Sequence, residues 1–280
     1  MFCLYACMKT TSWGVMANKD GRLIARARET QVLRSLGRFG WLRTRDIAAL
    51  CWNRWLPKPV VPLDLAAVNA TDSGLRMAQR TLKRLRLQHK VISSQAPDGS
   101  IIYALAEAGA RVLQEAGVDA ASGKDLVRGF SAAFFRHRCI ANEVAIAAIN
   151  QGFRVSTERE IAKGLWLGGE AGVFGKRPDV VIRDGKRVTF CEVEKSRKKQ
   201  AEYQALVRWL SRLLQLQQKS GGQAQLSPEV CLERVVFICT QGFRTKLMRD
   251  LDESGWSQAQ QSALIEYSCE LYQFRDILFQ

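Results

Sequence analysis

The chain has 280 residues, with 42 Lys and Arg against 27 Asp and Glu, a formal charge of +15 and a sequence pI near 9.8. That length allows two domains with a core each, and the charge favours a polyanionic partner, nucleic acid before an anionic membrane surface. No uncharged run approaches the roughly 20 residues that span a bilayer, the eight cysteines form no CxxC pair, and only two histidines are present, which argues against a membrane span and a structural zinc site.

Scattered cysteines inside apolar runs fit buried free thiols in a reducing cytoplasm, the compartment expected here. Residues 1–16 lack the basic start and small-residue cleavage site of a signal peptide, and Met16 reads as a more natural start. Residues 1–29 are therefore expected to be an N-terminal extension. Residues 1–130 hold 20 basic and 10 acidic side chains against 22 and 17 in residues 131–280, so the first half is the stronger phosphate-docking surface.

Val32, Leu33, Leu36 and Phe39 have helical spacing over 30–39, ended by Gly40. Thr44 reads as the N-cap of a helix over 45–52, and Pro57, Pro59 and Pro62 mark a loop. Asp72 or Ser73 caps a third helix to about Gln88, apolar at Leu75, Ala78, Leu82 and Leu85 and basic on its other side. Residues 90–94 and 100–105 form a hairpin around Pro97-Asp98-Gly99, followed by a helix over 107–117. Three helices and a two-stranded wing predict a winged helix-turn-helix over 30–118, whose third helix fits a major groove. Arg76, Gln79, Arg80, Lys83 and Arg84 are its expected DNA contacts. Arg43, Arg45 and Lys90 are expected on the phosphate backbone, with Arg111 a further contact near the wing. His89 reads as a C-cap or surface residue.

Residues 119–129 read as a linker, and 130–280 as a small α/β layer structure. A helix is expected over 134–150, strands over 153–156, 179–182, 188–193 and 232–239, a long basic helix from Glu194 to about Gln218, and a last helix over 272–279. The Gly-rich stretch 165–174 carries no clear element. Asp179 opens one strand, and Glu192 lies near the end of its hairpin partner, with Glu194 two residues on and on the same side wherever the strand continues. Such carboxylates can share Mg²⁺ or Mn²⁺ and direct metal-bound water at phosphorus. The competing reading is that Asp179 and Asp184 serve turns while Glu192 pairs with an arginine.

The helix 72–87, Lys90-Val91-Ile92, the run 103–110, His137, Asn142-Glu143-Val144, Thr157-Glu158-Arg159-Glu160, Pro178-Asp179-Val180-Val181 and Phe190-Cys191-Glu192-Val193-Glu194 together resemble the replication-relaxation family of plasmids and other mobile elements. That resemblance covers residues 30–215. It implies an α/β protein with an N-terminal winged helix and a C-terminal restriction-endonuclease-like domain similar to the PD-(D/E)xK superfamily. It makes Asp179 and Glu192 the motif acids, Glu143 the acid of the preceding helix, and Glu158 or Glu160 a further core acid. Asp179, Glu192 and Glu158 are then the expected metal ligands. Glu194 stands where the motif has lysine, and Lys198 is the residue expected to migrate into the site, so the expected catalytic set is Asp179, Glu192, Glu194 and Lys198. Arg197, Lys199, Arg208 and Arg212 would hold DNA backbone.

The leading expectation is a DNA-binding accessory protein acting in replication, conjugative transfer or regulation, with double-stranded DNA and relaxase or replication proteins as partners and a homodimer as a further expectation. A metal-dependent endodeoxyribonuclease and a protein-assembly or transcription-regulatory winged helix are the alternatives.

Overall fold

The computed structural model describes residues 20–129, 132–194 and 199–270. Chain order begins α1 (Gly21–Phe39), β1 (Trp41–Arg43), α2 (Thr44–Trp52), α3 (Asp72–Leu87), β2 (Val91–Gln95), β3 (Ile101–Leu105) and α4 (Glu107–Glu115). Asp20 caps α1 by accepting from the Arg22 N–H. The helix thus starts nine residues before Thr30, inside the expected extension. Leu23 and Ile24 are exposed there, so that turn has no apolar face for periodicity to detect.

Arg43, not Thr44, is the N-cap of α2, because the Asp46 carboxylate turns back to accept the Arg43 backbone N–H at 2.9 Å. Thr71, one residue ahead of the expected cap, accepts from Gly74 N–H at the start of α3. That helix buries Gly74, Ala78, Thr81, Leu82 and Leu85 and leaves the opposite side to solvent. β1 was not anticipated, since three residues are too few to show alternation. It pairs antiparallel with β3, giving the order β1-β3-β2.

Gly109 sits in α4 where the helix touches the base of the hairpin. A Cβ there would stand 2.1 Å from the Lys90 carbonyl oxygen, which accepts from Ala106 N–H. Alanine would gain about 1 kcal/mol of helix propensity. Overlap with fixed backbone costs more, so Gly109→Ala is expected to lose about 2 kcal/mol net, read by urea denaturation. A neutral or stabilised variant would show that α4 can slide away.

The expected linker is not bare. It carries α5 (Lys124–Arg128), whose Val127 packs with Ala96, Ile102 and Ala104 against β2 and β3. Next come α6 (Ala132–Asn150), β4 (Arg154–Ser156), α7 (Glu158–Ala162), β5 (Val180–Asp184), β6 (Arg187–Glu194), α8 (Gln200–Lys219), β7 (Ala224–Ser227), β8 (Val230–Cys239), α9 (Gln241–Glu253), α10 (Gln258–Leu264) and β9 (Ile265–Ser268). They build a six-stranded sheet in the order β4-β5-β6-β8-β7, with β9 also on β8. β4, β5 and β6 run antiparallel, and the chain returns through α8 to lay β8 parallel to β6. β6 stays extended through Glu194, paired with Cys239, so the long helix begins at Gln200 rather than at Glu194. The helix expected over 272–279 lies outside the described residues.

Alternation divides the sheet between two cores. Val180, Ile182, Cys191 and Val193 pack toward α6, while Val181, Val188 and Phe190 pack toward α8. α6 is buried on every side from Arg138 to Asn150 because it lies between the sheet and the first unit. Its alanines allow close approach. Its polar side chains reach main-chain carbonyls across the junction: Arg138 to Phe39, Asn142 to Trp41 and Asn150 to Ala49. One apolar cluster therefore runs from Val32 through α6 to Ile238, and the two halves share it. The result is a mixed α/β fold.

Candidate functional site

Where β5 begins, the sheet gathers a cluster of charges. The Asp179 N–H donates to the Cys191 carbonyl, and its Oδ2 accepts the Val193 N–H at 2.8 Å, which fixes the carboxylate beside the end of β6. The same oxygen lies 3.1 Å from His137 Nε2 on α6. Glu158, in the first turn of α7, accepts from Arg138 Nη1 at 2.9 Å, with His137 Nδ1 4.0 Å from its other oxygen. Glu192 Oε2 lies 2.5 Å from Lys176 Nζ.

A tight loop delivers Lys176. Val173 and Lys176 exchange backbone hydrogen bonds around Phe174 and Gly175, both at positive φ (52° and 81°). Trp209 of α8 donates its indole N–H to the Val173 carbonyl, and the Lys176 ammonium rests 5.4 Å from that ring.

Burial and charge oppose one another here. Burial lowers the proton affinity of His137, but Asp179 and Glu158 outweigh it and hold the imidazole above its ordinary value. Burial raises the Asp179 carboxyl, and His137 and Lys176 more than reverse that, leaving it below the usual range. Glu158 stays raised, since burial exceeds the help from Arg138. Burial lowers Lys176, but Glu192 and Asp179 carry it above normal. Glu192 is pushed up to about 7 by burial, against the pull of Lys176 and with Asp179 adding repulsion.

A carboxyl with a raised folded value contributes stability that is complete below its unfolded value near 4.5 and is lost as pH rises through about 7. The raised His137 acts with the same sign, from 6.5 upward. Wild-type stability should therefore fall between about pH 5 and 8, and Glu192→Gln should remove up to about 3 kcal/mol of that fall. Denaturation at both ends of the range checks this. Parallel pH profiles for the two proteins would refute it.

Of the expected acids, Asp179, Glu192 and Glu158 come together, and Glu194 is buried two residues along the same strand face. Glu143 does not join them: it accepts from Arg43 and pairs with Arg45 at the start of α2. Glu160 instead closes the α7 capping box and binds Arg38. Lys198 and Arg197 lie outside the described residues. Lys176 and Arg138 were not anticipated. Lys176 follows the Gly-rich stretch that carries no periodic signal, and Arg138 shows no pattern until α6 is packed. His137 was marked only by the resemblance.

Glu192 Oε1, Glu158 Oε2 and His137 Nδ1 are buried without a hydrogen-bond partner. Such atoms could invite a cation. Yet each carboxylate is already matched by His137, Arg138 or Lys176, and among the described residues no three His, Cys, Asp or Glu side chains are grouped to hold a metal ion. As the side chains stand, Asp179, Glu192 and Glu158 do not fit Mg²⁺ or Mn²⁺.

The second surface of interest is α3. Arg76, Gln79, Arg80 and Lys83 are exposed at successive-turn spacing, and neither the two arginines nor the lysine makes an ion pair among the described residues. Arg84 is exposed but pairs with Glu29 of α1 at 3.0 Å. The expected backbone contact at Arg43 is corrected. Its side chain is 8 % exposed and forks onto Asp46 and Glu143, because it sits in the junction with α6. Arg45 is more open but engages Glu143. Lys90 is half-buried at the hairpin base, whereas Arg111, Lys199, Arg208 and Arg212 are exposed. His89 takes a left-handed φ of 54° just past α3, where a helix terminates.

No family model, curated protein or solved structure matches this chain. Among the described residues no helix is long and apolar enough to cross a membrane.

Proposed function

We propose that this protein is a duplex-DNA-binding accessory factor of a plasmid or other mobile element, acting in replication, transfer or regulation, with a nuclease-like domain of little or no cleavage activity. The observation that carries the reading is the basic stripe Arg76, Arg80 and Lys83 on the solvent face of α3, which makes no ion pair among the described residues. A helix with free cations can lie along a groove, with arginine and Gln79 able to reach base edges. The order α1, α2, α3, then the β2–β3 hairpin, supports a winged-helix reading of the first unit. The antiparallel β5–β6 pair that brings Asp179 beside Glu192, followed by the α8 crossover to β8, supports the restriction-endonuclease-like reading of the second. Ion pairing within the acid cluster favours a scaffold over a cutting site. The mobile-element setting rests on the family resemblance alone.

Fluorescence anisotropy with a labelled duplex tests this. With about four phosphate contacts, affinity should fall roughly 100-fold between about 50 and 200 mM salt. Salt-independent or absent binding would transfer the winged helix to protein assembly. Mg²⁺-dependent cleavage abolished by Asp179→Ala would transfer the second unit to the endonuclease reading.

A further inference from the structure

We propose that the Lys176 ammonium takes the place of a divalent cation between Glu192 and Asp179, so that the acid cluster is neutralised from within and becomes a cation site only when Lys176 is removed. This deepens the non-cleaving reading of the second unit. It does not depend on α3, so loss of DNA binding and failure of this inference are separate outcomes.

Asp179 and Glu192 are drawn to adjacent strand ends by backbone pairing, and Glu194 follows on the same strand face. Carboxylates gathered in a buried place require a counter-charge. Lys176 supplies it at 2.5 Å from Glu192 Oε2. Its position is fixed by the chain and not only by charge. Val173 and Lys176 pair through their backbones, and Trp209 holds the Val173 carbonyl while its ring lies beside the ammonium. Gly172 keeps the loop closed, since a Cβ there would stand 2.4 Å from the Lys176 carbonyl oxygen. A cation tethered in this way competes at high effective concentration with any ion from solution. Glu192 Oε1, buried without a hydrogen-bond partner, is a donor that Lys176 does not satisfy. It would remain, together with Glu192 Oε2 and the Asp179 carboxylate, to receive an ion once the ammonium is gone.

The test titrates the full-length protein with Mn²⁺ at neutral pH and follows the loss of the free-ion electron paramagnetic resonance signal. Wild type, Asp179→Asn, Lys176→Met and the double variant Lys176→Met/Glu192→Gln are compared, each checked for fold by circular dichroism. Lys176→Gln carries the same comparison should the Met variant fail to fold. Wild type should leave Mn²⁺ free. Lys176→Met should take up a single equivalent at least about 10-fold more tightly, in the range of weak oxygen-ligand sites. The double variant should lose that equivalent. A stoichiometric wild-type site abolished by Asp179→Asn would overturn the proposal, as would folded Lys176 variants that bind no more Mn²⁺ than wild type.

Discussion

Replacing Arg76, Arg80 and Lys83 together by alanine should weaken duplex binding roughly 100- to 1,000-fold at about 0.1 M salt and lower the salt slope by about 3, since each phosphate contact contributes about 0.9. The three side chains are exposed and make no ion pair among the described residues, so the variant should fold and melt as wild type does. That separation gives the measurement its value, because a lost contact is then not confused with a lost fold. Arg84→Ala is the internal comparison. Its guanidinium is shared with Glu29, so its removal should cost less affinity than any of the three. Gln79→Ala should leave the salt slope unchanged, since it removes no charge, and any effect should appear as reduced preference between duplex sequences. If the triple variant binds as well as wild type, with the same slope, the α3 surface is not the DNA contact. The exposed arginines of α8, Arg208 and Arg212, then become the next surface to neutralise.

The sequence made the helices of the first half legible where an apolar stripe exists, as in α3, and missed the opening turns of α1, where Leu23 and Ile24 face solvent. Continuous apolar runs located β5 and β6 closely, because both faces of the sheet are covered and both sets of side chains are apolar. Glu194 was read as helical because its strand identity comes from a partner 45 residues away, Cys239, which no local pattern announces. Asp179 and Glu192 could be read from their spacing around a hairpin, and Glu158 only through the resemblance. Their counter-ions could not. Lys176 arrives from an aperiodic glycine-rich loop and His137 and Arg138 from a helix whose burial is complete only after both halves have packed. A charge on a surface and a charge in a junction look alike in one dimension, and Arg43 is the clearest instance.

Arg43→Met should lower stability by about 3–5 kcal/mol, because it strips a buried ion-pair network of its central cation. The Arg43 Nε and Nη2 atoms each lie 2.9 Å from an Asp46 oxygen, and Nη2 also donates to Glu143 Oε1 at 2.6 Å. Asp46 is 3 % exposed and loses both of its 2.9 Å side-chain contacts, and it and Glu143 are left with only the more open Arg45, 3.9 Å from Asp46. At about 2–4 °C per kcal/mol for a chain of this size class, melting should fall by roughly 10 °C. Arg45→Ala should cost less than about 1 kcal/mol, as that side chain is 58 % exposed and its pairing is screened. The same Arg43 variant, assayed below its melting point, should bind duplex DNA with unchanged affinity and salt slope, since its guanidinium faces α6 and not solvent. A variant that melts normally but loses a full unit of salt slope would return Arg43 to the phosphate backbone. It would also mean that the α2–α6 junction opens when DNA is bound.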